Sequence, residues 1–592
     1  MRPAPAWREE LAREAPGTEA VVEMGRKGQP TLRVEGVYLH SRYDPEREAA
    51  QLIDSAQLDP KRPVLVVGLG LGYHVAALVQ RGFTVAVLEP CRGIARAALA
   101  DAAVVADGFD CWVGGLDALD GNEAFQALAK RMPQWLVHPP TARLHPQYVG
   151  EAAELLARCA LRGTHLSVAV VGPMYGGSLP ITDYLARAFE KLGHRVLHAG
   201  NGLAWPLYDA ATKSLQSAQA QGQLGGLLTH FLNEWSYARV AEFAPDICVV
   251  MAQAPVNPSF AARLRERGII TAFWFVENWR HMPYWRDVAR EYDFFFHIQP
   301  GAFETTLDEI GCANHAFVQT GCDPSIHRPV ELTEDERDEF GCDLSFAGAG
   351  YPNRNAFFRG LTDYDFKIWG VNWTARELAG KVQRREQRFT PDDFMKMVAA
   401  AKINLNLHSS TQADGVDPKC DAVNPRVFEI AAAGGFQLCD PCIGLETHFD
   451  LEDEVPAYTD LASLRARIDY YLAHPGERVA VAKRAQERAL AEHTYEHRAQ
   501  QMLDFIIARQ GHRLLRKGVR VQRTIGETAA MLGKESALGA YLAQLPPALL
   551  FTHDVMKEVI NLDIDATSYP ARVFNYLTEV RSFAEILLKE DR

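Results

Sequence analysis

Asp343-Leu344-Ser345-Phe346-Ala347-Gly348-Ala349-Gly350-Tyr351-Pro352-Asn353-Arg354 runs from an apolar, strand-like segment through a glycine turn into a stretch able to start a helix. A buried strand, a glycine turn and a helix N-terminus, in that order, open a nucleotide-binding type of α/β unit. The same order occurs twice upstream, where Val64 to Val67 precede Gly68 and Val168 to Val171 precede Gly172. Three such starts predict three Rossmann-like parallel-sheet units. Between them, strand-like runs at Asp246 to Met251, Ile269 to Phe275 and Asp293 to His297 alternate with helical stretches, the pattern of parallel sheets covered on both faces. The expected division is 1–160, 165–335, 336–508 and a helical region at 509–592, where Glu527 to Leu532 and Phe574 to Lys589 read as helices.

The 592 residues exceed what one core can organise. With 62 basic against 75 acidic residues, the net charge of −13 excludes the overall electrostatic footprint of a nucleic-acid binder. Met1 to Pro16 mixes charges and alanines without an apolar core, and no stretch reaches the length of a membrane span, so a cytoplasmic chain without a transmembrane segment is expected. Ten cysteines, several inside apolar runs, read as reduced, buried thiols. Cys439-Asp440-Pro441-Cys442 has half-zinc-site spacing but no second Cys or His pair near it in sequence, so a strand end and turn is expected there.

Pro425-Arg426-Val427-Phe428-Glu429, followed by Gly434-Gly435 and an apolar strand, sets a carboxylate on the first turns of a helix that ends in paired glycines. Such a carboxylate can clamp ribose hydroxyls while backbone approaches a diphosphate. The run resembles the donor-site segment of two-domain GT-B glycosyltransferases, in particular the CgeB-like spore-maturation group. The Asn353-Arg354 pair after Gly348 and the run His493 to Arg498 resemble the same group, so the likeness spans roughly 165 to 508. It implies that the second and third units pair as acceptor and donor halves. A nucleotide sugar is then the donor, with Glu429 on its ribose, Arg354 and Arg426 on its diphosphate, and Gly348, Gly434, Gly435 and His408 in the donor contacts. His408 reads equally as a buried, hydrogen-bonded histidine. No Asp-x-Asp motif stands in donor-site context, so cations from the chain and helix N-termini are expected to stabilise the diphosphate without an obligatory metal.

Retaining members of such families carry Glu-x7-Glu; here Glu429 fits the second position and Asp421 falls on the first, which leaves retention or inversion open. On the acceptor side, Gly176 and Gly177 lie in a loop where amides can approach a ligand. Glu277 follows the strand-like Phe273 to Phe275 at a carboxyl edge and is the candidate general base, with His281 and Asp183 as weaker candidates.

In the first unit, Gly68-Leu69-Gly70-Leu71-Gly72 is followed by Glu89, 21 positions after Gly68, where such folds place a ribose-binding carboxylate. The glycine spacing is closer to that of S-adenosylmethionine methyltransferases, but His138-Pro139-Pro140-Thr141 departs from their catalytic Asn/Asp-Pro-Pro-aromatic run. Leu39 to Pro45 together with the glycine loop resembles the N-terminal region of motility accessory factor proteins, which implies an acceptor on protein or glycan, flagellin among them. Two alternatives stand beside glycosyl transfer: an S-adenosylmethionine-dependent methyltransferase with a sugar-binding module, and a non-catalytic carbohydrate-binding assembly factor.

Overall fold

A computed structural model describes residues 20–100, 108–385, 387–516, 525–533, 535–545, 547 and 551. The chain divides into two compact units, residues 1–164 with 506–592, and residues 165–505.

The first unit is built on a four-stranded parallel sheet in the order Asp110–Val113, Val85–Glu89, Val64–Val67, Gln134–Val137. All four residues of Val64–Val67 are buried, because their side chains alternate between two apolar layers: Val64 and Val66 pack towards Val75 and Leu78, Leu65 and Val67 towards Phe125 and Leu155. A small antiparallel ribbon of Val21–Met24, Pro30–Val34 and Val37–Tyr38 precedes the sheet, an element the sequence pattern did not announce. The helices Ile525–Leu532 and Ala537–Leu542 agree with the helical reading of that stretch, whereas Phe574 to Lys589 lies outside the described residues.

Residues 165–505 hold two parallel sheets. The six-stranded one is ordered His315–Phe317, Phe294–His297, Ile270–Phe275, Ile247–Met251, Ser167–Val171, Arg195–Ala199. The five-stranded one is ordered Val382–Gln383, Phe366–Trp369, Cys342–Ala347, Ala401–Asn406, Gln437–Cys439. The molecule is thus α/β with three separate parallel sheets, as its sequence predicts.

In each sheet the strand that opens into the glycine loop sits beside a strand formed later in the chain, so the strand order reverses there. The reversal falls between Ser167–Val171 and Ile247–Met251 in the larger sheet and between Cys342–Ala347 and Ala401–Asn406 in the smaller one. Helices leave to opposite faces at such a point, which opens a crevice at the carboxyl ends of the strands. After the smaller sheet the chain returns to the larger half: Cys322 N donates to His493 O at 2.9 Å, Tyr495 N to Cys322 O at 2.9 Å, and Phe505 packs against Phe294 and Phe296.

Candidate functional site

The carboxyl edges of both sheets in residues 165–505 contribute to one cleft of about 600 Å³. Gly176, Gly177, Ile181 and Tyr184 line it from the larger half, and Gly348, Arg354, Asn406, Arg426 and Glu429 from the smaller.

On the larger-sheet side, Gly176 takes φ +102°, and the loop then turns into helix Ser178–Lys191. The N-cap of that helix is Gly177, which offers no side-chain acceptor; Leu179 N already bonds Gly176 O at 3.4 Å and Pro180 has no N–H, so the first turn offers an anion the Ser178 N–H and the positive end of the helix dipole. Pro180, Ile181 and Tyr184 follow Gly177 at helical spacing and share its face. Glu277 is not among the cleft-lining residues. It reaches the same loop through Ser178, whose Oγ donates to its Oε1 at 2.9 Å, and burial raises its pKa, opposed by that bond. His281 is exposed, and Asp183 pairs with His198 at 3.0 Å.

On the smaller-sheet side, Gly348 ends its strand under a close neighbour. A Cβ on Gly370, at φ +132°, would stand 2.2 Å from Gly348 O, so these two strand ends touch backbone to backbone. Arg354 spans the reversal point: Nε donates to Leu407 O at 2.8 Å and Nη1 to Ala349 O at 2.9 Å. Burial lowers its pKa to about 10, which leaves it a cation at neutral pH. Helix Arg426–Ala432 starts at the cleft and carries Glu429, almost fully buried, in its first turn. Arg426 Nη1 bonds Glu429 Oε2, and its guanidinium lies 4.1 Å from the Phe394 ring centroid. On the other side His327 Nε2 stands 3.8 Å from Glu429 Oε1, with burial holding the His327 pKa below its ordinary value. Tyr184 meets His327 edge-on at 4.9 Å.

Of the residues singled out from sequence, Gly176, Gly177, Gly348, Arg354, Arg426 and Glu429 come together on this cleft, while Gly434, Gly435 and His408 stand behind its lining. Gly434, at φ +74°, ends helix Arg426–Ala432, and a Cβ on Gly435 would meet Val398 Cγ1 at 2.4 Å, so the pair stops the helix and lets the next strand approach. His408 is buried beside Asp440, whose Oδ1 accepts from its backbone N at 2.8 Å and from Nδ1 at 2.7 Å. Asp421 is turned to the larger half. Its two oxygens accept from Arg280 Nη1 at 2.8 and 2.7 Å, and Gln299 Nε2 adds a bond of 2.6 Å.

His327 and Tyr184 carry no motif. Tyr184 was within reach from helical spacing after the glycine loop, whereas His327 lies in the connection between halves and becomes a neighbour of Glu429 only when both sheets are assembled. Cys439 and Cys442 do form a strand end and turn, yet Cys420 and His408 fold against them from the loop that precedes helix Arg426–Ala432.

In the first unit, the glycine loop is satisfied by the chain itself. Glu89 is fully buried and accepts from Leu69 N at 2.7 Å through Oε2 and from Cys91 N at 2.9 Å through Oε1. Burial raises its pKa to about 7 against those bonds. Three buried histidines close around the loop: His74 stacks on His138 at 4.6 Å, His40 lies 5.2 Å from His138, and His40 Nε2 accepts from Leu71 N at 2.7 Å.

Residues 354–504 match a family model described as glycosyl transferase-like. No curated protein matches the chain. Among solved structures, the chain is similar to a sucrose-phosphate synthase from Thermosynechococcus elongatus at 12% identity, over 57% of this chain and 97% of that one, with a TM-score of 0.40. It is similar to Anabaena HepE, solved in complex with UDP and glucose, at 10% identity over 58% and 99%, with a TM-score of 0.40. A third likeness, at 15% identity over 58% and 98% with a TM-score of 0.39, is to the trehalose 6-phosphate synthase of Burkholderia multivorans. Among the described residues, no helix is long and apolar enough to cross a membrane.

Proposed function

We propose that residues 165–505 are a GT-B glycosyltransferase that moves a sugar from a nucleotide donor to a hydroxyl acceptor. The observation that carries this reading is the convergence of Glu429, Arg426, Arg354 and the uncapped N-terminus of helix Ser178–Lys191 on one cleft. That set matches the charges of the donor. Ribose hydroxyls donate to a carboxylate, and the diphosphate accepts from guanidinium groups and a helix N–H, which are strongest as the leaving group gains charge. The glycosyl transferase-like match over residues 354–504 supports the same half as the donor side.

Glu277, outside the cleft lining but held beside its glycine loop by Ser178, is the proposed base for an acceptor hydroxyl that enters past that loop. Its burial raises its pKa, which makes the carboxylate a better proton acceptor near neutral pH. The acceptor class follows from the resemblance of the N-terminal region: a protein or surface glycan, flagellin being the specific candidate. For the first unit the proposed role is recognition rather than methyl transfer, because Glu89 and His40 are already bonded to the glycine loop that a nucleoside would use. Calorimetric binding of uridine, guanosine, cytidine and thymidine diphosphate sugars, beside S-adenosylmethionine, tests the reading. Tight binding of one nucleotide sugar supports it, and binding of S-adenosylmethionine alone contradicts it.

A further inference from the structure

Cys420, Cys442 and His408 lie on either side of helix Arg426–Ala432, yet each offers a ligand atom within 4.8 Å of the other two. We propose that these three side chains bind a zinc-class divalent metal ion, with Asp440 orienting the imidazole. None of the three residues is among those lining the cleft, and the site does not depend on the glycosyl-transfer reading.

Two thiolates and one imidazole are a donor set for zinc rather than for magnesium or calcium. Asp440 Oδ1 accepts from His408 Nδ1 at 2.7 Å, which leaves Nε2 to coordinate; a carboxylate on the far ring nitrogen is the usual support of a metal-binding histidine. Nε2 now receives Asn424 N at 3.2 Å, a long bond that a metal would replace. Asp440 itself is fully buried, and its Oδ2 has no hydrogen-bond partner. A buried carboxylate in that condition is costly unless a cation stands near it.

The Sγ atoms of Cys420 and Cys442 are 3.2 Å apart. Zinc–sulfur bonds of about 2.3 Å at a tetrahedral angle need a separation of about 3.8 Å, an opening of about half an ångström. A disulfide would need closure to about 2.05 Å, roughly twice that movement, and would have no use for the imidazole. Cys439 groups with His408 and Asp440 instead of with the two thiols, so it is not a ligand. Cys420 is only half-buried, which lets solvent fill the fourth position. On binding, each thiol releases its proton to solvent and no electron is transferred.

The site has a structural task. Residues 407–425, between strand Ala401–Asn406 and helix Arg426–Ala432, contain no helix or strand, a length of loop that needs anchoring. A metal on His408, Cys420 and Cys442 ties both ends of that loop to the segment after Gln437–Cys439. The loop then delivers Asn424 and Arg426 to the cleft.

The test uses the full chain, stripped with chelator under reductant and titrated with Co²⁺ and then Zn²⁺. One equivalent of Co²⁺ with thiolate-to-cobalt charge-transfer absorption, displaced by Zn²⁺, is expected. Cys420→Ser and Cys442→Ser should each abolish the band, Cys439→Ala should keep it, and Asp440→Asn should weaken binding about 10- to 100-fold. Absence of the band in the unmodified chain overturns the proposal without recourse to any variant. So does a band that survives Cys442→Ser, or a Cys420–Cys442 disulfide found by peptide mass in the chain as purified.

Discussion

Arg280 holds Asp421 across the two halves of residues 165–505, donating from Nη1 to both carboxylate oxygens at 2.8 and 2.7 Å. Asp421 is buried while Arg280 is partly exposed, so the pair is unequal. Removing the arginine leaves a buried carboxylate with Gln299 alone, whereas removing both charges relieves it. Arg280→Ala should therefore destabilise residues 165–505 by about 1–3 kcal/mol, reduced from the fully buried case by solvent at Arg280. Arg280→Ala with Asp421→Ala should be less destabilised than the single variant in urea unfolding; an additive loss would show that the pair is not coupled.

A second prediction concerns the glycine contact at the smaller sheet's edge. Gly370→Ala places a Cβ against Gly348 O and demands φ +132° of an L-residue, so the two strand ends must part. Strain and overpacking together should cost about 2–4 kcal/mol and weaken donor binding with it. Gly380→Ala, where a Cβ meets nothing within 4 Å, is the control. Equal melting temperatures for the two variants would contradict the contact.

The third prediction is a pH dependence of the first unit. Burial depresses the pKa of His40 to about 3 and of His74 to about 4, and holds that of His138 well below its ordinary 6.5. Below pH 6.5 the unfolded chain takes up protons that these folded histidines refuse, so their stability is present above 6.5 and lost as pH falls towards 4. Glu89 acts oppositely: its folded pKa of about 7 against 4.5 makes folding more favourable as pH falls through that window. Three histidines against one glutamate leave a net loss that grows from under one proton at pH 6.5 to about two near pH 5, so the stability falls more steeply as the pH drops through that window. Melting of the full chain from pH 8 to 5 should show its transition for this unit shift downwards, and His74→Asn should flatten the shift. A transition independent of pH would contradict the neutral cluster.

The three parallel sheets were legible because Val64 to Val67, Val168 to Val171 and Leu344 to Ala347 are continuously apolar and run into glycine, which only a doubly covered strand and a tight turn require together. Glu429 and the glycine stop at Gly434 were legible for the same local reason. What sequence spacing cannot show is convergence. His408, Cys420 and Cys442 become neighbours because the strands Ala401–Asn406 and Gln437–Cys439 pair in parallel, and nothing in the spacing of the cysteines announces the pairing. Likewise Asp421 sits eight positions before Glu429, as a paired carboxylate would, but Arg280 and Gln299 on the other half decide which way it faces.

The central claim is that Glu429 and Arg426, paired with each other on the first turn of one helix, contact the ribose and the adjoining diphosphate of a nucleotide sugar. It is tested most directly by titration calorimetry of the preferred nucleotide sugar, the nucleoside diphosphate and the free nucleoside against the unmodified chain, Glu429→Gln and Arg426→Ala. Glu429→Gln should weaken all three ligands by about 1–3 kcal/mol, because each carries the ribose. Arg426→Ala should weaken both diphosphate ligands more than the nucleoside, which loses only what Glu429 loses with its ion-pair partner. Unchanged affinity for the nucleotide sugar in Glu429→Gln, or equal losses for diphosphate and nucleoside in Arg426→Ala, would contradict the account.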